Sequence, residues 1–158
     1  MRYSLLLLLL GSLCFADDSY VLDGGVGIAN SAKKGLSETK MLTLGKQYDL
    51  IGPIKERAIV GGWLDNSGGG KNGSGLVSGQ IGFEVNRNGL VAGLFTGPCL
   101  ISNTDTMLGG HFQFMDDLHL GLEDHSGNYL GVMYRHISSA GISTPNLGRD
   151  IMAIEMRF

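Results

Sequence analysis

The 158-residue sequence lacks several features that would assign it to common classes. It has two cysteines, and one of them, Cys14, lies in an N-terminal segment that we expect to be removed. The single remaining cysteine, Cys99, rules out an intramolecular disulfide and a cysteine-based metal cluster. Basic residues are not in excess, with 12 Lys and Arg against 15 Asp and Glu, so nucleic acid is not an expected partner.

The one long apolar run lies at the N-terminus. MRYSLLLLLLGSLCFA begins with a basic residue, continues through leucines and ends on the small residue Ala16. This pattern predicts a secretory signal peptide at residues 1–16. A lipoprotein signal ending at Cys14 is a weaker reading, because the bulky Leu13 precedes that cysteine. The mature chain, residues 17–158, would carry 11 basic and 15 acidic residues, a formal net charge of -4.

Beyond the signal segment, helices are disfavoured. No window of about 18 apolar residues occurs there, which argues against a transmembrane helix. The 26 glycines argue against long helices of any kind. Apolar and polar residues instead alternate with a period of two, most clearly at residues 77–85, 118–123 and 152–158. One-sided alternation of this kind predicts the strands of an antiparallel sheet.

The alternation and the turn signals together predict eight strands. They run over roughly 20–30, 38–49, 56–65, 76–86, 89–102, 106–123, 128–138 and 149–158. The sixth strand could be two pieces with a bend at Met115–Asp117. NRNG at 86–89 is a tight hairpin signal, whereas 67–75 is a long glycine-rich loop.

An even number of strands, alternating short and long connections and a terminal Phe158 are typical of outer-membrane proteins. The predicted fold is therefore all-β, an eight-stranded antiparallel up-and-down transmembrane β-barrel with its short turns in the periplasm. A soluble periplasmic sandwich or lipocalin-like barrel remains an alternative, because such a fold would also produce alternation, with its apolar face turned inward.

The seventh strand carries candidate catalytic residues. Tyr134, His136 and Ser138 share a face with Leu130 and Val132. The backbones of His136 and Ser138 are about 7 Å apart by strand rise, so the imidazole could accept the Ser138 proton. On the opposite face, we expect Arg135 to pair inside the barrel with an acid such as Glu155.

The eighth strand supplies a candidate acid. Asp150 has the parity of the apolar residues Met152, Ile154 and Met156, and a hairpin would place it beside the end of strand seven. Ser138, His136 and Asp150 then form a Ser-His-Asp arrangement on one face. A His-x-Ser pair on a strand is, however, more often an ordinary surface pair.

The apolar neighbours of this arrangement predict which way it faces. In a membrane barrel their face contacts lipid, so the triad would lie on the outer wall. Counted from a periplasmic N-terminus, the connection between strands seven and eight is extracellular. The predicted site is therefore at the level of the outer leaflet, and its substrate would be a lipid ester.

Residues 134–150, YRHISSAGISTPNLGRD, resemble the signature of the lipid A 3-O-deacylases of the PagL family. The positions that fall at the family spacing are His136, Ser138, Ala140, Gly141, Pro145, Asn146 and Gly148. A weaker similarity extends over residues 94–102 and 109–124. The resemblance implies an eight-stranded outer-membrane barrel that removes the ester-linked acyl chain at the 3-position of lipid A.

Carried over residue by residue, the resemblance assigns roles. Ser138 would be the nucleophile, His136 the general base and Asp150 the acid that orients the imidazole. The side-chain amide of Asn146 and the backbone N–H of Gly141 would stabilise the oxyanion.

The resemblance implies no cofactor and no metal, and His111, His119 and His125 form no recognised ligand set. The expected partners are lipid A, as part of lipopolysaccharide, and the outer membrane. The oligomeric state stays open, with a homodimer among the options.

Two positions depart from the family pattern. The acid, usually Glu, is Asp150, and the Asn that usually follows the serine is Ser139. The first could change the rate, and the second puts a supporting hydrogen bond in question. Two other functions therefore stay open: a structural barrel without catalysis, and a broader lipid carboxylesterase or phospholipase.

Overall fold

The computed structural model describes residues 18–29, 37–65, 72–104 and 108–158, which form a closed barrel. Each strand pairs antiparallel with the next, and β8 pairs with β1 to close the sheet. The strands are β1 (Ser19–Ala29), β2 (Ser37–Ile51), β3 (Ile54–Asp65), β4 (Asn72–Arg87), β5 (Leu90–Ile101), β6 (Phe112–Glu123), β7 (Tyr129–Ser138) and β8 (Arg149–Arg157). The predicted eight-stranded barrel is confirmed. The predicted signal peptide, residues 1–16, lies outside the described residues.

The sixth strand differs from its prediction. It begins at Phe112 and not at 106, because residues 108–111 belong to the β5–β6 connection. It also runs through Met115–Asp117 without a break, paired with β5 on one side and β7 on the other. Within this unbroken strand Asp116 faces outward and Asp117 inward, so the alternation of faces continues through the predicted bend.

Short and long connections alternate around the barrel, as predicted. Two-residue turns join β2 to β3 and β4 to β5, and the start of β1 and the end of β8 lie at that end of the barrel. In the β4–β5 turn Asn88 and Gly89 both have positive φ, 54° and 85°, as a type I′ hairpin turn requires. The five-residue β6–β7 connection lies at the same end, whereas the β5–β6 and β7–β8 connections, which are longer, lie at the opposite end.

The outer wall is apolar and much of the interior is polar. Every strand contributes large apolar side chains that are exposed on the outer wall. One from each strand, in order from β1 to β8, is Tyr20, Leu42, Leu64, Val77, Leu94, Leu118, Leu130 and Ile154. Three arginines, Arg57, Arg135 and Arg149, are fully buried inside. A soluble barrel has the reverse distribution, so this arrangement argues against the soluble alternative and fits an outer-membrane barrel. Among the described residues, no helix is long and apolar enough to cross a membrane.

The buried arginines bind carboxylates across the barrel, but one predicted pair was wrong. Arg135 does not pair with Glu155; its Nε lies 2.7 Å from Asp117 Oδ1, and Glu155 instead binds Arg57 at 2.8 Å. The register explains the difference. Asp117 is the cross-strand partner of Arg135, whereas the β7 partner of Glu155 is Gly131.

The half of the interior nearest the β7–β8 connection is filled. An apolar cluster occupies it, formed by Met41, Ile59, Trp63, Leu76, Cys99, Ile101, Leu108, Met115, Ile137 and Ile151. Arg149 crosses this cluster to reach Asp65, with Nη1 2.6 Å from Oδ1. The filled interior gives the start of β8 a rigid support beneath the candidate site.

Candidate active site

The β7–β8 hairpin carries the predicted catalytic residues on its outer face. Arg135 and Ile137 are fully buried, while Tyr134, His136 and Ser138 face outward, as the alternation predicts. His136 and Asp150 are direct cross-strand partners. Their side chains therefore start close together, since directly opposed Cβ atoms are about 5 Å apart.

His136 and Asp150 form a hydrogen-bonded pair. His136 Nδ1 lies 2.7 Å from Asp150 Oδ1, and both side chains are about one-third exposed, at 35% and 36%. A carboxylate at Nδ1 fixes the ring orientation and places the proton on that nitrogen. Nε2 is then the nitrogen that can accept a proton from a nucleophile.

Tyr134 also contacts Asp150, a contact that the sequence reading missed. Its hydroxyl donates a hydrogen bond of 2.5 Å to the same oxygen, Asp150 Oδ1. Tyr134 lies two residues before His136 on the same face, diagonally opposite Asp150. Parity and hairpin register together could have identified it. Two donors from β7 therefore hold the carboxylate.

Ser138 lies beside this pair without bonding to it. It is half-buried on the same face, two residues beyond His136. Within the described ranges, no hydrogen bond joins Ser138 to His136. Catalytic hydrogen bonds are often long without substrate and shorten when substrate binds. The structure thus brings His136 and Asp150 together and places Ser138 alongside them.

The loop after β7 starts with a tight turn. Ile142 N–H donates to Ser139 C=O at 3.0 Å, and Ala140 and Gly141 have positive φ values of 50° and 83°, as in a type I′ turn. The Ser139 hydroxyl donates to Ser143 C=O at 3.2 Å and accepts from Ser143 N–H at 3.3 Å. Ser139, one of the two departures from the family pattern, therefore does support the loop.

The predicted oxyanion donors lie on the two arms of this loop. Asn146 Oδ1 accepts a hydrogen bond of 2.8 Å from Ser139 N–H, which ties the arms together. That bond uses the carbonyl of the Asn146 side chain and leaves its Nδ2 amide to donate elsewhere. Gly141 is exposed at the tip of the turn. Both groups belong to the segment that immediately follows Ser138.

Gly148 supports the imidazole from the end of the loop. It has a φ of 72°, and a Cβ there would lie 2.8 Å from His136 Cε1. Only glycine fits both the backbone conformation and the close approach of the ring. The family spacing already included Gly148, but the contact with His136 explains the requirement.

The β5–β6 connection supports the same loop. Leu108 forms an isolated bridge with Asn146, and Gly109 N–H donates to Pro145 C=O at 2.8 Å. A Cβ on Gly109 would lie 2.4 Å from Thr144 backbone atoms. Nothing local in the sequence predicts this contact, because it joins two loops distant in the chain.

The site carries no metal-binding arrangement within the described part of the chain, where no three His, Cys, Asp or Glu side chains are grouped to hold an ion. The other histidines are dispersed. His119 is buried inside the barrel with Nε2 2.9 Å from Glu84, whereas His111 and His125 are exposed.

Comparison with known proteins assigns the family. The model of the family described as "Lipid A 3-O-deacylase (PagL)" matches residues 30–158. "Lipid A deacylase PagL" from Bordetella bronchiseptica is 42% identical over 53 residues, which cover 34% of this chain and 30% of that protein. The matched segment is thus less than one third of that relative's length.

Two solved structures share the fold. The crystal structure of the outer membrane enzyme PagL has a TM-score of 0.59 at 20% identity and covers 87% of this chain and 98% of that one. A de novo designed transmembrane β-barrel has a TM-score of 0.50 at 15% identity, covering 89% and 95%. At these identities the likeness concerns the fold alone. Since the family model spans most of the sequence, the chain belongs to the PagL family of lipid A 3-O-deacylases, which are hydrolases.

Proposed function

We propose that this protein removes the 3-O-acyl chain of lipid A by ester hydrolysis, with Ser138, His136 and Asp150 as its catalytic triad. The observation that carries the proposal is the 2.7 Å contact between His136 and Asp150 on the outward face of the hairpin. The stability of a lipid-facing wall does not require a polar pair of this kind beside Ser138. The family membership supplies the substrate and the bond that is cut.

In the acylation step, Ser138 Oγ attacks the ester carbonyl while His136 Nε2 takes its proton. Asp150 stabilises the imidazolium that forms. The developing oxyanion is stabilised by the Asn146 side-chain amide and the Gly141 N–H, and one such donor contributes about 10²- to 10³-fold in rate. His136 then protonates the departing sugar oxygen. Water, activated by the same imidazole, releases the fatty acid from Ser138.

We place the active site at the outer leaflet of the outer membrane. The apolar outer wall supports insertion, and the site lies at the end with the long connections, opposite the start of β1 and the end of β8. Outer-membrane barrels have short periplasmic turns and longer extracellular loops. Export would depend on the signal peptide at residues 1–16. The triad then faces the leaflet in which lipid A resides.

The test is expression of the wild type and Ser138→Ala in a host that makes lipopolysaccharide, followed by mass spectrometry of lipid A. The wild type should produce lipid A that lacks one ester-linked 3-O-acyl chain, and Ser138→Ala should leave lipid A unchanged. Heat-modified electrophoretic mobility should show that both barrels fold equally. An unchanged lipid A profile with folded wild type would contradict the proposal.

Purified protein in detergent micelles separates the remaining functions. Lipid A and phospholipids are offered as alternative substrates. Preferential release of fatty acid from lipid A is the expected result. Turnover of phospholipid without turnover of lipid A would assign a broader lipid esterase. A folded barrel inactive on both would assign a structural role.

A further inference from the structure

A groove lies on the outer wall of the barrel, on the side of Asp150 away from Ser138. Its volume is about 500 Å³. The outward residues that line it come mainly from β8, β1 and β2, and they are Gly24, Val26, Lys40, Val132, Met152 and Ile154. All of the side chains except Lys40 are apolar, so the groove suits a hydrocarbon chain.

The groove lies next to the candidate active site. Met152 is the next outward residue after Asp150 along β8, and it is the cross-strand partner of Val26 on β1. Gly24 is in turn the cross-strand partner of Ile154. This pair is two residues further along both strands, away from the site. The groove thus lies beyond Asp150 as seen from Ser138, where an acyl chain other than the one on the ester being cut has room.

Gly24 gives the groove its depth. A Cβ at this position would make only ordinary contacts, the nearest being Leu42 Cδ1 at 3.6 Å. At Gly25, by contrast, a Cβ would lie 2.3 Å from the Met152 carbonyl oxygen, so that glycine is required by backbone packing. Packing does not require glycine at position 24. The absence of a side chain at Gly24 leaves an open space between large apolar neighbours.

Lys40 places a positive charge at the rim of the groove. Its side chain is exposed on the outer wall beside Val26, its register partner. A lysine facing lipid is costly at the bilayer midplane and costs little near the interface, so this position indicates the headgroup level. Asp150 on β8 is the cross-strand partner of Ile28 on β1, and Lys40 on β2 is the partner of Val26, two residues away on β1. Lys40 therefore lies about 12 Å from Asp150 along the wall.

We propose that Lys40 binds a phosphate of the same lipid A molecule whose ester is cut, and that the groove holds one of its uncut acyl chains. This inference rests on the proposed function. Lipid A is a phosphorylated disaccharide with several acyl chains, so one molecule can supply an ester, an anion and a second chain to adjacent positions. Lys40 and Gly24 are then substrate-positioning residues that select a phosphorylated, multiply acylated lipid.

The charge is tested with Lys40→Gln on lipid A and on dephosphorylated lipid A in the same micelles. The variant should lose about tenfold in kcat/KM on the phosphorylated substrate, as expected for one charge-assisted contact, and nothing on the dephosphorylated one. Lys46→Gln is the control, because Lys46 faces outward near the opposite end and pairs with Asp18. Equal losses of Lys40→Gln on both substrates, or no loss on either, would overturn the role of Lys40.

The groove is tested with Gly24→Leu against Gly79→Leu. Gly79 is an exposed glycine on β4, and a Cβ there would meet nothing within 4 Å. Gly24→Leu should raise KM for multiply acylated lipid A several-fold while kcat changes little, and Gly79→Leu should match the wild type. Equal KM values for the two variants would overturn the groove assignment.

Binding to the inactive Ser138→Ala barrel separates this inference from the proposed function. Adding Lys40→Gln to that background should weaken lipid A binding by about tenfold, whether or not the wild type cleaves it. If lipid A binds with this dependence but is not cleaved by the wild type, the proposed function fails and the inference holds. If the wild type cleaves lipid A and Lys40→Gln binds it equally well, only the inference fails.

Discussion

Two consecutive residues of β7, Arg135 and His136, each bind an aspartate on a neighbouring strand, one inside the barrel and one outside. Arg135 is fully buried, and its guanidinium contacts Asp117 through Nε at 2.7 Å and Nη2 at 2.8 Å. His136 is one-third exposed and contacts Asp150 through one ring nitrogen. The two pairs are similar in length and opposite in surroundings.

The difference between them distinguishes a structural ion pair from the pair that we propose to be catalytic. The guanidinium of Arg135 is permanently charged and is bound on several sides, also by Asp23 and Thr43. It has no capacity to exchange a proton. His136 uses Nδ1 for its carboxylate and keeps Nε2 for another group. Alternation along one strand thus places a buried ion pair and the proposed catalytic pair at adjacent positions.

Exchanging the two neighbours for neutral residues should give the largest and most contrasting effects. Arg135→Met leaves Asp117 and Asp23 buried without their cation and should lower the free energy of unfolding by about 3–5 kcal/mol. His136→Asn should leave unfolding nearly unchanged and reduce deacylation by about 10⁶-fold. Urea unfolding followed by the fluorescence of Trp63, the chain's single tryptophan, and lipid A turnover measure the two effects. A stable, active Arg135→Met or an active His136→Asn would contradict the division of roles.

Changing the acid tests whether Asp150 serves the imidazole. Asp150→Asn keeps the shape but removes the charge and the acceptor that fixes the His136 tautomer, and should cost about 10⁴-fold in kcat. Asp150→Glu, which restores the usual acid of the family, should stay within about tenfold of the wild type because triads accept either acid. Steady-state turnover of lipid A measures both. If Asp150→Asn and Asp150→Glu lost activity equally, the position would tolerate only one geometry and the charge would not be the reason.

A methyl group behind the imidazole should have a smaller effect. Gly148→Ala places a Cβ 2.8 Å from His136 Cε1 and should move the ring, reducing kcat by about 10²-fold. The matched control is Gly127→Ala in the β6–β7 turn, which has a similar φ of 83° but no atom within 4 Å of its Cβ. Both variants carry the same backbone strain, and only the first should lose activity. Equal activity of the two would show that the close contact at Gly148 does not position His136.

The smallest effect is expected at Tyr134. Tyr134→Phe removes one of the two donors that hold Asp150 Oδ1 and leaves the His136 contact intact. One hydrogen bond contributes about 1 kcal/mol, so kcat should fall about fivefold without a change in folding. A loss as large as that of His136→Asn would assign Tyr134 a direct part in the chemistry.

The sequence predicted the local geometry of the site well. Parity placed His136, Ser138 and Asp150 on one face, and a hairpin is enough to make His136 and Asp150 neighbours. These relations depend only on the strand period and on one turn. The contact of Tyr134 with Asp150 depends on the same hairpin. It also depends on the Tyr134 side chain extending diagonally across the strand pair, which parity alone does not predict.

Relations across the barrel were not predictable in the same way. The partner of Arg135 depends on the register between β6 and β7, and the pair of Arg57 with Glu155 depends on how the sheet closes. Alternation gives the face of each residue but not the stagger between strands. The support of Asn146 by Leu108 joins two loops, which have no period at all. The start of β6 was misplaced for the same reason.

The central claim is that Ser138 is a nucleophile activated by His136 on the outer wall. The most direct measurement is labelling of the folded barrel with a lipophilic fluorophosphonate, followed by peptide mass spectrometry. We expect one covalent adduct, located on Ser138, that is lost in Ser138→Ala and strongly reduced in His136→Asn. Labelling of a different residue, or equal labelling of Ser138 in the wild type and His136→Asn, would contradict it.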